Sequence, residues 1–173
     1  MAAMETYFLT TERLGFRHWT EADLPLAHAL WGDPRVTTFI GGPCSEAQVE
    51  TRLQTEMRTR TESGVQYWPV FLLQREKHAG CAGLRPYDST AGILEMGVHL
   101  RTEYWGMGLA EEAGRAVIRY AFDVLDAKGL FAGHHPENAA SQRLLSKLGF
   151  RFTHQQFYAP TGWKHRSYLL GRP

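Results

Sequence analysis

Residues 95–114 read Glu-Met-Gly-Val-His-Leu-Arg-Thr-Glu-Tyr-Trp-Gly-Met-Gly-Leu-Ala-Glu-Glu-Ala-Gly. The pattern is that of an apolar strand that passes through a glycine-spaced turn into a helix. A helix that begins after such a turn gathers unpaired backbone N–H groups and a positive dipole end at one point. Gly106 and Gly108 have no Cβ, so a ligand can approach the peptide closely there. The stretch therefore predicts an anion site suited to a phosphate or a pyrophosphate.

Two common nucleotide-binding motifs do not fit this turn. A Walker-type loop needs Gly-x-x-x-x-Gly-Lys-Ser/Thr, which the chain does not contain here. The Gly-x-Gly-x-x-Gly pattern fails because position 111 is glutamate. On these residues alone, a plain strand-to-helix turn without a ligand remains open as the alternative.

A second stretch, residues 134–150, reads His-His-Pro-Glu-Asn-Ala-Ala-Ser-Gln-Arg-Leu-Leu-Ser-Lys-Leu-Gly-Phe. Taken with the first, it resembles the GNAT superfamily of acetyl-CoA-dependent N-acetyltransferases, in the branch of the ribosomal-protein N-terminal (Rim-type) enzymes. Residues 105–113 resemble that branch's Trp-Gly-Lys-Gly-x-Ala-Thr-Glu-Ala, and residues 138–150 resemble its Asn-x-x-Ser…Lys-x-Gly-Phe. Segments 12–24 and 33–47 are similar to the same branch, so the resemblance covers nearly the whole chain.

Composition is that of a compact enzyme rather than of a nucleic-acid or membrane binder. The 173 residues predict one domain, 1–173, and a chain of this length typically buries about 70% of its unfolded surface. The net charge of +1 argues against nucleic acid or a membrane surface as partner. No apolar run approaches membrane-spanning length, and the first residues do not resemble a secretory signal.

Cysteine and histidine usage gives two further expectations. Cys44 and Cys81 lie far apart without Cys-x-x-Cys spacing, which favours a reduced, cytoplasmic setting and no covalent intermediate. The eight histidines do not fall at metal-ligand spacings, so no metal is expected.

Hydrophobic periodicity and turn residues predict an α+β chain. Strands are expected near 13–18, 66–74, 78–86, 91–100, 129–133, 150–157 and 164–170, and helices over 20–31, 45–62, 108–126 and 138–148. Leu109, Ala113, Val117, Tyr120 and Val124 would form the buried stripe of the third helix. The resemblance implies a GNAT-like mixed, mostly antiparallel sheet of six to seven strands flanked by four helices. It also implies a splay at the fourth strand, beside residues 96–100, that admits a pantetheine arm.

The resemblance places the acetyl-CoA site on main-chain groups. The pyrophosphate cradle would be the backbone N–H groups of Gly106, Met107, Gly108, Leu109, Ala110 and Glu111. Val98, His99 and Leu100 would supply main-chain hydrogen bonds to the pantetheine amides and an N–H near the thioester oxygen. Asn138 would bond the same arm, and it also suits the simpler role of helix cap. Glu103 stands where the family usually has Arg or Gln, and we expect its side chain to face solvent.

Three residues are the candidates for proton transfer. Strand periodicity puts Glu95, Gly97 and His99 on one face, and Glu95 resembles the acid that deprotonates the amine in many family members. An edge or ion-paired carboxylate is its alternative, and His99 is a second candidate base that could equally be structural. Ser141 matches the serine proposed in the ribosomal branch to protonate the thiolate. It is the favoured donor here, because Leu145 occupies the place of the tyrosine that other GNAT enzymes use.

These features predict an acyltransferase that moves the acetyl group of acetyl-CoA to a primary amine by direct attack in a ternary complex. A protein or peptide N-terminal α-amine is the favoured acceptor, because residues 151–173 contain no acidic base and an α-amine (pKa about 8) is far more often neutral than a lysine amine (about 10.4). The acceptor wall is expected from residues 31–40, Tyr87 and residues 158–163. A small amine, amino acid or antibiotic acceptor stays open, as do a non-catalytic CoA-binding sensor and a homodimer.

Overall fold

The computed structural model describes residues 6–173. Its strands are β1 (Leu9–Thr10), β2 (Leu14–Phe16), β3 (Tyr67–Leu72), β4 (Lys77–Asp88), β5 (Ile93–Leu100), β6 (Gly129–His134), β7 (Arg151–Tyr158) and β8 (Trp163–Gly171). Its α-helices are α1 (Leu24–Trp31), α2 (Pro34–Thr37), α3 (Glu46–Ser63), α4 (Leu109–Asp123) and α5 (Ala139–Lys147). Within these residues, no helix is long and apolar enough to cross a membrane.

The strands form one sheet in the order β1-β2-β3-β4-β5-β6-β8-β7. Every neighbouring pair is antiparallel except β5 and β6, which are parallel. The predicted mixed, mostly antiparallel α+β sheet is therefore confirmed. The described residues contain one more strand and one more helix than the upper end of the prediction, because β1 has two residues and α2 four, too few to leave a periodic pattern.

The sheet splays where the sequence analysis expected it to. Strands β5 and β6 pair only from Ile93 opposite Gly129 to Glu95 opposite Phe131. Within residues 6–173, residues 96–100 continue along β4 with no strand paired to their other edge, while Ala132 to His134 pair with β8 alone. A wedge-shaped gap therefore opens beside the second half of β5.

Apolar side chains on the two faces of the sheet form two cores. One contains residues of α4 and α5 together with Met96 and Leu100 of β5. The other contains residues of α1 and α3 together with Tyr67 and Cys81. The predicted alternation along β5 is thus confirmed, and the gap connects the two faces.

Helix α4 begins as predicted but ends earlier. Leu109, Ala113 and Val117 are buried as expected. The prediction for Val124 is wrong: the helix ends at Asp123, and Val124 is 63% exposed. The chain leaves the helical path here and reaches a left-handed residue at Asp126, with φ of 54°.

Candidate active site

A cavity of about 880 Å³ lies at the splay, lined by residues of β5 and β6, by the starts of α4 and α5, and by the segment after α1. Ten of the twelve predicted site residues line it: Glu95, Val98, His99, Leu100, Gly106, Gly108, Leu109, Ala110, Asn138 and Ser141. The other two turn their side chains outward. Met107 is 52% exposed, and the Glu111 carboxylate lies 2.8 Å from an Arg115 guanidinium nitrogen. For Met107 and Glu111 only the backbone N–H groups were predicted to bind the pyrophosphate, and this role stays a prediction.

The glycine turn before α4 has a geometry that other residues adopt at a cost. Gly106 and Gly108 have φ of 71° and 76°, in the left-handed region where a Cβ is strained. A Cβ built on Gly106 would meet no atom within 4 Å, so this peptide faces open space. The first helical bond runs from the Glu112 N–H to the Gly108 carbonyl, and Gly108 has no capping side chain. The N–H groups of residues 109–111 are thus available to an anion.

Glu112 fixes this turn to the beginning of the sheet. Its carboxylate accepts from the Thr11 hydroxyl at 2.5 Å, the Arg13 N–H at 2.9 Å and the Arg13 Nε at 2.6 Å. Arg13 also donates to the Met107 carbonyl at 2.9 Å. Burial raises the pKa of Glu112, but the hydrogen bonds from Thr11 and Arg13 outweigh it, so the pKa is lowered and the carboxylate stays charged. The turn is therefore held in place before any ligand arrives.

The free edge of β5 presents peptide groups to the gap. The Arg101 N–H donates to the Ala79 carbonyl at 2.9 Å, and Leu100 pairs with Gly80. Leu100 therefore occupies a non-hydrogen-bonded position of the antiparallel ladder, in which successive residues alternate. The peptide groups of Leu100 and Val98 consequently point away from β4 and into the gap.

Side chains modify this edge at two places. The Trp105 indole donates to the Leu100 carbonyl at 2.9 Å. Among the described residues, the Val98 N–H, the Val98 carbonyl and the Leu100 N–H are left unpaired at this edge. His99 lies between them, and by the same alternation its peptide groups face Cys81 on β4. His99 therefore reaches the cavity with its ring and not, as the resemblance implied, with its main chain.

Glu95 belongs to a cluster of polar groups at the inner end of the cavity, where β5 and β6 last pair. The Tyr67 hydroxyl donates to its carboxylate at 3.5 Å. Burial raises the pKa of Glu95, although the positive charge of Arg85 opposes the shift. Arg85 lies over the Tyr67 ring at 3.9 Å and is ion-paired with Glu56, a fully buried acid of α3. A carboxylate with a raised pKa in a cavity is suited to accept a proton.

The His99 ring is a neutral hydrogen-bonding group. Its Nδ1 lies 3.4 Å from the Trp31 Nε1 and 3.7 Å from the Cys81 sulfur. An indole can only donate, so we assign Nδ1 as acceptor and place the proton on Nε2. Burial, reinforced by Arg52 and Arg85, lowers the pKa of His99 well below its usual value. His99 therefore fits a donor better than a general base.

Asn138 and Ser141 share the first turn of α5. The Asn138 side-chain oxygen accepts from the Ser141 N–H at 3.1 Å, so Asn138 is the helix cap. The Ser141 hydroxyl is half-buried and lines the cavity, as does the buried side chain of Leu145. This arrangement leaves the serine hydroxyl free to contact a ligand in the gap.

The predicted acceptor wall is present in part, because residues 31–34, Thr37 and residues 159–163 do not line the cavity. Val36, Phe39, Tyr87 and Tyr158 line the cavity. Trp31 does not, because it is fully buried in the core between α1 and α3. Its role is packing, apart from the indole N–H that reaches His99.

Sequence reasoning missed several lining residues: Arg52, Tyr67, Arg85, Phe131, His135 and His165. One available signal was Glu56, an acid at helical spacing from Val49 and Leu53 on the apolar face of α3. A charge in such a position needs a partner, and that partner is Arg85.

Two adjacent histidines, His134 and His135, form part of the cavity wall. His134 is the last residue of β6, and both rings line the cavity. His135 packs 5.1 Å from the Phe39 ring and 5.2 Å from the Trp163 ring, measured between centroids.

Among residues 6–173, no three histidine, cysteine, aspartate or glutamate side chains are placed to hold a metal ion.

Known proteins match both the sequence and the fold. A Bacillus licheniformis protein named "Uncharacterized N-acetyltransferase p20" is 29% identical over 150 residues, which span 86% of this chain and 83% of that one. A GNAT-family acetyltransferase structure from Bacillus anthracis superposes with a TM-score of 0.82 at 24% identity, covering 94% of this chain and 97% of the other. RimL, a ribosomal L7/L12 alpha-N-protein acetyltransferase, in complex with coenzyme A, superposes with a TM-score of 0.81 at 15% identity over 96% and 98%.

The family model described as "Acetyltransferase (GNAT) domain" matches residues 13–151. That range contains the splayed strand, the glycine turn, α4 and α5. The chain therefore belongs to the GNAT family of acetyltransferases.

Proposed function

We propose that this acetyltransferase moves the acetyl group of acetyl-CoA directly to a primary amine, with an N-terminal α-amine of a peptide or protein as favoured acceptor. The observation that carries the proposal is the continuity of the cavity. It runs from the open N–H groups before α4, past the unpaired edge of Val98, to the Glu95 carboxylate. A long cofactor arm can thus enter from one face of the sheet and meet an amine from the other.

The residues present fit coenzyme A. The turn at Gly106 and Gly108 leaves space that a Cβ would partly fill, and the N–H groups of residues 109–111 suit a diphosphate. The Val98 carbonyl and the Leu100 N–H, which both face the gap, match the amides of a pantetheine arm, and the Asn138 side chain borders the same gap. When bound, acetyl-CoA supplies the activated acetyl group.

The chain's own groups then serve three needs of the transfer. Glu95 accepts the proton of the amine, whose nitrogen forms the new bond to the acetyl carbon. A main-chain N–H at Val98 binds the carbonyl oxygen as it gains charge, an interaction often worth about 3 kcal/mol of barrier. Ser141 donates a proton to the sulfur that leaves with the electrons of the broken C–S bond, and it regains a proton from solvent.

A covalent acetyl-cysteine pathway has little support. Cys81 lies beside His99, yet burial raises the pKa of its thiol to about 12 and the residue is fully buried. A thiol in this state is a poor nucleophile. Direct attack by the amine is therefore the simpler mechanism.

The α-amine preference has two supports. RimL, which shares the fold, is named as an acetyltransferase of a protein α-amine. Glu95 is the one carboxyl group lining the cavity within the described residues, which suits an amine that is often neutral already. A small amine, amino acid or antibiotic is the second candidate, and a sensor without turnover is the third.

The test is release of free CoA with a panel of peptides and small amines, followed by mass spectrometry of the products. The proposal expects peptides with a free N-terminus to be acetylated at the α-amine with the highest kcat/KM. Faster turnover of small amines would overturn the acceptor assignment. Binding of acetyl-CoA without turnover on any amine would favour the sensor.

Setting and assembly complete the proposal. Both cysteines are free, as suits a reducing cytoplasm.

Strand β7 is an edge strand exposed along its whole length, with Phe157 63% exposed, and pairing with a second copy would cover it. Light scattering at working concentration tests the homodimer, and a monomer mass would contradict it.

A further inference from the structure

The charged groups that line the cavity are unequal in number. Three arginines, Arg35, Arg52 and Arg85, contribute to the lining, whereas Glu95 contributes the one carboxyl group among the described residues.

Two of the three arginines are neutralised by acids outside the lining. Arg85 is ion-paired with the buried carboxylate of Glu56. Arg35 lies 3.1 Å from the Asp33 carboxylate, and its side chain is 71% exposed. Neither carries an uncompensated charge into the cavity.

Arg52 is different. Within residues 6–173 it has no ion pair and no side-chain hydrogen bond, and its Nε is a buried atom without a partner. Its guanidinium lies over the Trp31 ring at 4.5 Å, so the indole covers one face of the planar group while its N–H donors remain unused. A buried donor without a partner is costly unless a ligand satisfies it.

The position of Arg52 identifies which ligand that is. It belongs to α3, which packs on the face of the sheet opposite α4. Arg52 and Glu95 both line the cavity, and Arg52 covers the Trp31 ring whose indole N–H reaches His99, so Arg52 lies on the face of β5 that carries His99 and Glu95. The diphosphate cradle lies at the start of α4, on the other face. An anion bound by Arg52 therefore belongs to the acceptor and not to coenzyme A.

We propose that Arg52 binds a carboxylate of the acceptor, which makes the preferred substrate a primary amine with a carboxylate close to the reacting nitrogen. This inference rests on the proposed function and narrows it. Arginine holds a carboxylate through two parallel charge-assisted hydrogen bonds, which fixes both position and orientation. Two sources share this chemistry: a free amino acid, and a peptide whose first or second residue is acidic.

The experiment compares acceptors that differ in this charge, with kcat/KM expressed per neutral amine because the carboxylate also raises the pKa of the neighbouring amine. One pair is a peptide with Ser-Asp at its N-terminus and the same peptide with Ser-Asn; the other is an amino acid and its carboxamide. We expect kcat/KM for the acid to exceed that for the amide by about tenfold or more in one pair, from one charge-assisted contact. The pair that shows the preference identifies the source.

Variants of α3 assign the preference to one side chain. In Arg52→Gln, kcat/KM for the acid divided by kcat/KM for the amide should fall to about one while turnover of the amide persists. In Arg52→Lys, this ratio should lie between one and the wild-type value. Arg58→Gln, at an exposed site on the same helix, is the matched control and should keep the wild-type ratio.

The outcomes separate the two proposals. Amides turned over as fast as acids by the wild-type enzyme, or a ratio unchanged in Arg52→Gln, would overturn the inference and leave the proposed function standing. If no amine of either form is acetylated, the proposed function fails and the inference falls with it. Should Arg52→Gln not fold, the wild-type ratio and Arg52→Lys decide.

Discussion

Glu95 obtains its chemistry from its surroundings. Burial raises its pKa, and the Tyr67 hydroxyl and the Arg85 charge limit the rise. The carboxylate accepts protons only when it is ionised, so kcat should fall as pH falls through this raised pKa. The acid limb of the kcat profile is thus expected above the value of about 4.3 that is usual for glutamate.

Replacing Glu95 by glutamine removes the proposed base and keeps the shape of the side chain. We expect Glu95→Gln to lower kcat by about 10²- to 10⁴-fold, the usual contribution of a positioned base. Calorimetry should give an acetyl-CoA Kd within about twofold of the wild type, because the carboxylate lies at the acceptor end. An unchanged kcat would show that water or another group takes the proton.

Ser141 is tested by the split between turnover and affinity. Ser141→Ala should reduce kcat by about tenfold or more and leave the acetyl-CoA Kd nearly unchanged, since the hydroxyl acts on the leaving sulfur. Ser146→Ala, at an exposed position of the same helix, is the control and should behave as wild type. Equal losses in kcat and affinity for Ser141→Ala would mean that the serine only shapes the cofactor pocket.

At the level of elements, the turn before α4 is the part whose backbone we propose to bind coenzyme A. Gly106 and Gly64 make a matched pair: their φ values are 71° and 74°, and a Cβ on either meets nothing within 4 Å. Alanine at either position should lower the free energy of unfolding by about 1 kcal/mol, through left-handed strain alone. We expect only Gly106→Ala to weaken acetyl-CoA binding as well. Calorimetry and denaturant unfolding measure both effects, and equal affinities in the two variants would contradict a backbone cradle.

Elements with strong local signals were predictable from the sequence. Helix α3 lies close to the predicted range 45–62: it begins after Ser45, whose side chain accepts from the Gln48 N–H, and it ends at Gly64 in the left-handed region. The α4 turn was predictable because two glycines imposed it. Strand β1 and helix α2 were not, because two and four residues carry no period. The end of α4 was misplaced because Val124 continued the apolar spacing beyond the last helical residue.

For the molecule as a whole, the sequence did not predict the contacts between side chains that are far apart along the chain. Glu56, Tyr67, Arg85 and Glu95 come from α3, β3, β4 and β5, and their contacts depend on the registers of Tyr67 with Gly83 and of Arg85 with Glu95. No local pattern encodes such registers. The resemblance pointed to Glu95 and the glycine turn, whereas the cationic end of the cavity, where Arg52 has no partner among the described residues, emerged only from the folded chain.

The central claim is that main-chain N–H groups before α4 hold the diphosphate of coenzyme A beside the splayed strand. A crystal structure of the protein with coenzyme A tests it most directly. The account predicts diphosphate oxygens about 2.7–3.2 Å from N–H groups of residues 106–111, with the pantetheine arm along Val98 and its sulfur near Ser141. Coenzyme A bound elsewhere, or held at this turn by side chains and not by N–H groups, would contradict it.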